Sequence, residues 1–158
     1  MNELFDTYFD MYYDDVYRLV YSYTFNKFES EDICQKCFLK LYKKLKENEN
    51  PMDYIKPWLF RVAINDSKNV LKSFWYRNID NIEDHEYNLS SKNNSLDIKN
   101  IVINLPKKYR YVIFLYYYEG YSIKEIASIL KKNESTIKTQ LTRARELIKK
   151  EISENEKV

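Results

Sequence analysis

A single glycine, Gly120, is present in the 158 residues of the chain. Glycine-rich phosphate loops need several glycines at fixed spacing, and sheet-rich folds use glycine at turns and bulges, so neither is easily built here. The hydrophobic fraction of 44% is ordinary for a folded protein. The longest apolar run, 112–118, is far shorter than the roughly 20 residues of a membrane-spanning helix, and no signal peptide is visible. The sequence therefore predicts an all-α, cytoplasmic protein of one domain or two small ones.

The net charge of +2 hides four blocks of alternating sign. Residues 1–50 carry −3, 51–78 carry +3, 79–98 carry −4 and 99–158 carry +6. Such segregation favours a polyanionic partner, the alternative being charged side chains that only solvate helix faces. Because 78–98 is rich in Asn, Ser and acids and has no apolar period, it is predicted to be a flexible linker.

Apolar side chains at steps of three and four predict three helices in the first half of the chain. The first covers 4–25, the second opens at Ser30 as its N-cap, and the third has Pro57 near its first turn. A loop is predicted from Lys46 to Lys56, between the second and third helices.

Two cysteines, Cys34 and Cys37, have C-x-x-C spacing but fall in the buried stripe of the second helix. With His85, the only histidine, they would supply at most three of the four ligands of a structural zinc. His85 lies in the predicted linker, so no histidine-dependent triad has its base in a helix. We therefore predict no metal, no cofactor and no enzyme, and the sequence leaves open whether the thiols sense redox.

The third helix has a polar stripe without an acid, opposite its apolar side. Its members, with the bordering tryptophan first, are Trp58, Arg61, Asn65, Lys68, Asn69 and Lys72. Aromatic rings beside cations and amides suit single-stranded nucleic acid, since the rings stack on bases while the cations follow the backbone. The alternative is that Trp58 and Trp75 are core residues. Asp66 falls near the apolar side, and the periodicity gives no reason for it.

The last sixty residues predict a helix-turn-helix. Short helices are expected over 95–104 and from about Pro106 to Gly120, where glycine suits a left-handed helix end. The run Ser122 to Glu125 is a capping box that opens the next helix, and Ser135 is predicted to cap the final basic one. Lysine and arginine on its outer face suit phosphates and guanine, and its Gln and Thr suit base edges. The alternative is a solvated lysine-rich helix that closes a bundle.

Four stretches of the chain match patterns that occur together in one family. They are SEDICQKCFLKLY (30–42), WLFRVAIN (58–65), LPKKYR with EGYSIKEIA (105–127) and TIKTQLTRARE (136–146). In this order they resemble the extracytoplasmic-function (ECF) sigma factors of the sigma-70 family of bacterial RNA polymerase. The resemblance implies two small helical domains, sigma region two at 1–77 and sigma region four at 99–158, joined by the linker 78–98.

The resemblance also implies a sigma factor that binds core RNA polymerase, recognises the −10 and −35 promoter elements and promotes melting. It assigns core binding to the second helix, through Asp32, Gln35, Phe38, Leu39 and Tyr42. It assigns −10 recognition and melting to the six residues of the third helix given above, with the 46–56 loop holding a flipped base. It assigns −35 recognition to the last helix, through Ser135, Thr136, Lys138, Thr139, Gln140, Thr142 and Arg143.

The expected partners are the β and β′ subunits of core polymerase, promoter DNA and an anti-sigma factor, without membrane insertion. Two alternatives to a sigma factor stay open at this point. One is a stand-alone helix-turn-helix regulator with an N-terminal dimerisation or sensing module. The other is a structural helical adaptor with basic faces.

Overall fold

A computed structural model describes residues 3–47, 53–77 and 98–156 of the chain. These residues form helices and short turns without a strand, which confirms the all-α prediction for them. The helices are α1 (Glu3–Thr24), α2 (Lys27–Glu47), α3 (Ile55–Arg77), α4 (Ile98–Asn104), α5 (Lys107–Ile113), α6 (Ile123–Leu130) and α7 (Glu134–Glu156). A π-helical turn, Phe114–Tyr118, continues α5.

The first three helices pack on one another around a shared apolar core. Val16, Leu19 and Val20 of α1 meet Ile33 and Leu41 of α2, and all five side chains are fully buried. Burial of each such side chain contributes roughly 1.5–3 kcal/mol to folding. The predicted helical stripes of α1 and α2 therefore describe the packed faces correctly.

The predicted N-cap of α2 is wrong. The helix begins at Lys27, and the side chain of Asn26 accepts the Glu29 backbone N–H at 3.0 Å, as an N-cap residue does. Ser30 lies inside the helix, fully buried, with its hydroxyl donating to the Asn26 carbonyl at 2.7 Å and lying 2.7 Å from the Thr24 hydroxyl. A serine is a good cap in isolation, but here tertiary burial decides its place.

Both sides of α3 are buried along its first half. Leu59 and Ala63 are buried, and Phe60 and Ile64, each one position further along the helix, are buried as well. The reason is that α3 packs on α1 and α2 from one direction and on α6 from another. Asp66, unexplained by the pattern, forms an ion pair with Lys40 of α2, whose Nζ lies 2.6 Å and 2.8 Å from its two carboxylate oxygens.

The helix-turn-helix is formed by α6 and α7. Ser122 and Glu125 make both hydrogen bonds of the predicted capping box. Lys131 ends α6 in the left-handed conformation, at φ 52°. The predicted cap of α7 is displaced: the helix begins at Glu134, so Ser135 is already inside its first turn, and the Asn133 carbonyl accepts the Ile137 N–H.

The lone glycine lies where the sequence predicts a helix end. Gly120 has φ +72°, after the π-helical turn, and the N–H of the next residue, Tyr121, donates to the Leu115 carbonyl at 3.0 Å. A positive φ of this size costs a residue with a side chain more than it costs glycine. Gly120 therefore reverses the chain into α6.

The C-terminal helices α5 and α6 pack on α1 and α3, and we call this contact the seam. Its centre is a stack of Tyr23 on Tyr111, with ring centroids 4.4 Å apart and planes 6° from parallel. The buried guanidinium of Arg110 donates to the Tyr23 carbonyl at 2.8 Å and also to the carbonyls of Leu105 and Ile103. One core therefore runs through both halves of the described chain.

At the edge of the seam, one lysine holds two carboxylates. Lys56 Nζ lies 2.9 Å from Asp15 Oδ2 of α1 and 2.9 Å from Glu119 Oε2, after the π-helical turn. Burial by itself lowers the pKa of Lys56, but the hydrogen bonds to Glu119 and Asp15 outweigh it and hold that pKa well above its usual value. Lys56 is therefore charged at neutral pH and joins the two halves.

None of the helices in the described parts of the chain combines the length and the apolarity that crossing a bilayer requires.

Candidate nucleic-acid interface

The outer face of α7 exposes most of the side chains that the sequence assigns to duplex DNA. The exposed ones are Ser135, Thr136, Lys138, Thr139, Thr142 and Arg143. The opposite side of α7 is anchored because Ile137, Leu141 and Ala144 are buried. The Thr139 and Thr142 hydroxyls donate to helix carbonyls four residues back, at 2.9 Å each, so their oxygens present lone pairs outward. This face offers two cations and several hydroxyl acceptors on a rigid support.

Gln140 differs from its neighbours because it is only partly exposed, and its Oε1 is buried without a hydrogen-bond donor among the described residues. It lines a polar groove of about 260 Å³ between the start of α5 and the start of α7. Lys108 and Tyr109 form the α5 side of the groove, and Arg143 lies on the α7 side. Sequence reasoning missed Lys108, because nothing in its local pattern sets it beside α7.

Arg145, in contrast, is turned towards the protein. Its Nε donates to the Tyr117 hydroxyl at 2.6 Å, and its guanidinium lies over the rings of Tyr116 and Tyr117. This side chain ties α7 to the π-helical turn.

Some side chains of the polar stripe of α3 are exposed to solvent and others are half-buried. Asn65 and Asn69 are exposed, whereas Trp58, Arg61 and Lys68 are half-buried. The ring of Trp58 lies under the ammonium of Lys44, 5.4 Å from the ring centroid, so it is neither a free platform nor a core residue. The side chain of Lys72 falls outside the described part of the chain, as do the side chain of Trp75, residues 48–52 of the predicted loop, and His85.

Arg61 is engaged by the helix-turn-helix itself. Its Nη2 donates to the Ser128 carbonyl near the end of α6, at 2.9 Å. Its Nε is buried and has no acceptor among the described residues. The carbonyls at a helix C-terminus carry partial negative charge, which a guanidinium stabilises.

The predicted polymerase-binding residues of α2 fall into two layers. Asp32, Gln35 and Leu39 are exposed, and Leu39 is 59% exposed although it is a large apolar residue. Tyr42 is half-buried, with its ring edge-on to Phe5. Phe38 does not belong to this surface: it is 2% exposed and packs on Phe9. The single helical stripe that runs through Phe38 points inward, so this residue supports the face from beneath.

The two cysteines are free thiols with no exposed surface. Burial, and secondarily the charge of Glu31, raises the pKa of Cys34 to about 12. Burial, followed by the charges of Cys34 and Asp66, raises that of Cys37 well above its usual value. Because the thiolate is the reactive form, burial and the raised pKa both disfavour reaction of these thiols at neutral pH in this fold.

Two family descriptions match the chain in succession. "Sigma-70 region 2" matches residues 8–78, and "Sigma-70, region 4" matches residues 95–148. The first covers α1 to α3, and the second covers the helix-turn-helix and the helices before it.

Named relatives agree with these matches. The ECF RNA polymerase sigma-E factor of Escherichia coli (strain K12) is 30% identical over 135 residues, which is 74% of this chain and 70% of that protein. The RNA polymerase sigma factor SigV of Bacillus subtilis (strain 168) is 27% identical over 141 residues, covering 86% of this chain and 83% of that protein.

Among solved structures, the sigma factor RpoE from Bartonella quintana, in complex with the anti-sigma factor NepR, has a similar fold. The TM-score is 0.75 at 20% identity, over 94% of this chain and 96% of that one. CnrH, in complex with the cytosolic domain of CnrY, gives a TM-score of 0.67 at 16% identity, over 97% and 90% of the two chains.

The chain therefore belongs to the sigma-70 family of RNA polymerase sigma factors, in its ECF group. Its function is that of an RNA polymerase sigma factor in transcription initiation, which the sequence predicted. A stand-alone helix-turn-helix regulator is not favoured, since the family match extends over α1 to α3 as well.

Proposed function

We propose that the chain divides promoter recognition between two domains, region two at 1–77 and region four at 99–158, with 78–98 as their linker. The single observation that carries this division is that two surfaces of nucleic-acid type lie on separate helices. One is the outer face of α7, and the other is the polar stripe of α3.

The α7 face reads the −35 element as duplex DNA. Lys138 and Arg143 bind phosphates or guanine acceptors, while Gln140 and Thr142 reach base edges. The Gln140 amide oxygen is buried without a donor among the described residues, so the side chain turns into the groove to accept a base amino group. Lys108, across the groove from Arg143, adds a backbone contact that widens the footprint beyond α7.

The α3 stripe binds the −10 element and stabilises its opened strand. The exposed amides of Asn65 and Asn69 hydrogen-bond to unpaired base edges, and the cations Arg61, Lys68 and Lys72 follow the backbone. Trp58 contributes an aromatic edge beside them, held in place by Lys44. A flipped base is assigned to the loop before α3, as in the family resemblance.

The exposed face of α2 docks on core RNA polymerase. Leu39 is the apolar anchor, Asp32 and Gln35 supply polar contacts, and Tyr42 borders them. Exposed apolar residues rimmed by polar ones are typical of protein interfaces. Phe38 is left out of this contact because it is buried.

The remaining assignments follow from this role. The chain acts in the cytoplasm, where core polymerase and promoter DNA are found, and catalyses no reaction of its own. An anti-sigma factor is included among its partners because two proteins of the same fold were solved with one or with a cytosolic domain bound.

A gel shift with promoter duplex, with and without purified core polymerase, tests this assignment. We expect a stable complex only when core enzyme is present, whereas tight binding by the chain alone would favour a stand-alone regulator. The double variant Lys138→Ala with Arg143→Ala should weaken the ternary complex at least about 30-fold, since two lost contacts worth about 1–3 kcal/mol each sum to at least about 2 kcal/mol.

The matched control is Lys27→Ala with Lys150→Ala. It removes the same charge from exposed positions whose ion pairs are long, 4.0 Å in both cases. If the control weakens binding as much as the α7 variant does, the effect is one of net charge and the −35 assignment is wrong.

A further inference from the structure

We propose that a crevice between α1 and the π-helical turn is a binding site for a small amphipathic carboxylate, a molecule with an apolar body and one carboxylate group. The crevice has a volume of about 530 Å³, which lies within the roughly 300–1,000 Å³ of small-molecule sites in proteins. None of the residues assigned above to DNA or to core polymerase lines it. The inference therefore goes beyond the proposed function and does not depend on it.

Aromatic rings from two elements line the crevice and suit the apolar body of a ligand. On the α1 side, Tyr17 and Tyr21 are stacked with ring centroids 5.9 Å apart, and Phe25 meets Tyr21 edge-on at 5.7 Å. On the opposite side, Phe114 and Tyr118 are stacked at 4.7 Å. Aromatic side chains offer a large contact area and lose little conformational freedom on binding, so they favour a ring or a hydrocarbon chain between them.

The backbone holds both sets of rings in place before any ligand binds. Phe25 has φ 48°, a left-handed conformation that is rare for a bulky residue, and the Arg110 guanidinium lies 5.1 Å from the centroid of its ring. Phe114 and Tyr118 belong to the π-helical turn, where the Glu119 N–H donates to the Phe114 carbonyl at 3.1 Å. Because the site is formed in advance, binding costs little ordering.

One cation borders the rings and favours an anionic group on the ligand. Arg18 lines the crevice from α1, and its side chain is 52% exposed. Its ion pair with Asp15 joins Nη1 to Oδ1 at a distance of 3.5 Å. A guanidinium has five N–H donors and binds a carboxylate through two parallel hydrogen bonds. Every other side chain that lines the crevice in the described part of the chain is uncharged, so the site should select an anion over a cation of the same shape.

The single cation also favours a small ligand over the acidic linker of the same chain. Residues 79–98 carry a net charge of −4, and the crevice lining offers one positive charge against them. Carboxylates placed against aromatic rings without a partner lose hydration and gain nothing in exchange. One carboxylate on an apolar body satisfies Arg18 and brings no further charge.

Displacement of a fluorescent probe tests the site on the whole chain, without polymerase or DNA. The probe is anilinonaphthalene sulfonate, an aromatic anion whose emission rises in apolar surroundings and whose sulfonate stands in for the carboxylate. We expect saturable micromolar binding that decanoate displaces. Decylamine, which has the same carbon chain and a positive charge, should displace the probe at least about tenfold less well. If binding does not saturate, or if the amine competes as well as the acid, the proposal is wrong.

Arg18→Gln separates the charge from the rings. It should weaken decanoate about tenfold and leave neutral decanol unchanged, because the guanidinium is lost while the rings are kept. The matched control, Lys150→Gln, removes one positive charge from α7 at a side chain that is 71% exposed, and it should change neither ligand. An equal loss of decanoate binding in the control would reduce the effect to net charge and overturn the site.

Tyr118→Ala removes one ring of the crevice. It should weaken decanoate and decanol alike, by about fivefold, since both lose the same apolar contact. Tyr54→Ala is the control, because Tyr54 lies outside the crevice and is 57% exposed where Tyr118 is 59% exposed. Circular dichroism checks that both variants keep their helices. If a folded Tyr118→Ala variant binds both ligands like the wild type, the ligand lies elsewhere and the proposal fails.

Two further outcomes would assign the crevice to another occupant and so contradict the proposal. If the probe binds only after residues 78–97 are replaced by a Gly-Ser segment of the same length, the linker occupies the crevice. If affinity falls as protein concentration rises and the chain sediments as a dimer, a second copy covers it. Since polymerase and DNA are absent from these measurements, loss of the ligand site would leave the sigma role intact, and a failure to initiate transcription would leave the ligand site intact.

Discussion

Arg110 is a buried arginine that links the end of α1 to the residues just before α5. It is 9% exposed, and its guanidinium donates to three carbonyls, two before α5 and one at the end of α1. Its charge is also 5.1 Å above the ring of Phe25. A buried arginine that binds carbonyls keeps its charge and satisfies groups that water cannot reach.

Arg110→Met should therefore destabilise the protein by about 2–4 kcal/mol, because the buried carbonyls lose a charged donor while the apolar stem is kept. Urea unfolding followed by circular dichroism measures the change in the free energy of unfolding. Lys108→Met, two residues away at an exposed position, is the control and should alter it by less than about 0.5 kcal/mol. Equal losses would mean that the three hydrogen bonds contribute nothing.

Asn65 lies at the centre of the proposed −10 surface and is exposed, so its replacement should leave folding intact. We expect Asn65→Ala to reduce promoter opening about 10-fold while closed-complex formation changes little, because an amide can bind a base edge only once the strand is unpaired. Permanganate footprinting of unpaired thymines measures the opening. Normal melting in this variant would contradict the assignment of the stripe.

At the scale of the secondary-structure element, sequence patterns predicted the helix ends correctly where the stabilising contacts are close in sequence. The capping box at Ser122 and the glycine at 120 form as their sequence patterns require, because both depend on residues within six positions of each other. Ser30 failed as a cap because its hydroxyl is used in a buried contact with Thr24. The pairing of Lys40 with Asp66, 26 residues apart, is a tertiary contact and left no trace in the local periodicity.

The turn between α6 and α7 stores a conformational cost in one residue. Lys131 has φ 52° and ψ 49°, a left-handed conformation that disfavours residues with a Cβ. Lys131→Gly should stabilise the protein by about 0.5–1 kcal/mol, and Gly120→Ala, at φ +72°, should destabilise it by about 1 kcal/mol. Thermal or urea unfolding of the two variants measures both signs, and a stability loss on Lys131→Gly would show that the lysine side chain matters more than its backbone.

At the scale of the whole molecule, the sequence predicted the helices and proposed two nucleic-acid faces on them, but it did not predict the seam. Tyr111 and Tyr23 are 88 residues apart in the chain, and aromatic residues on amphipathic helices fit many partners. Lys56 and Glu119 look like ordinary surface charges, and only the packing of α5 and α6 on α1 and α3 brings them together. The sequence pattern assigned Arg61 to the −10 surface, which stays a prediction, and it did not predict the contact of Arg61 with α6.

The central claim is that this chain directs core polymerase to a promoter, and run-off transcription tests it most directly. Purified chain and purified bacterial core polymerase are incubated with a promoter library, and the 5′ ends of the transcripts are sequenced. We predict transcripts whose start sites align on one pair of upstream elements and disappear when the chain is omitted. A folded chain that supports no initiation above core enzyme alone would contradict the account.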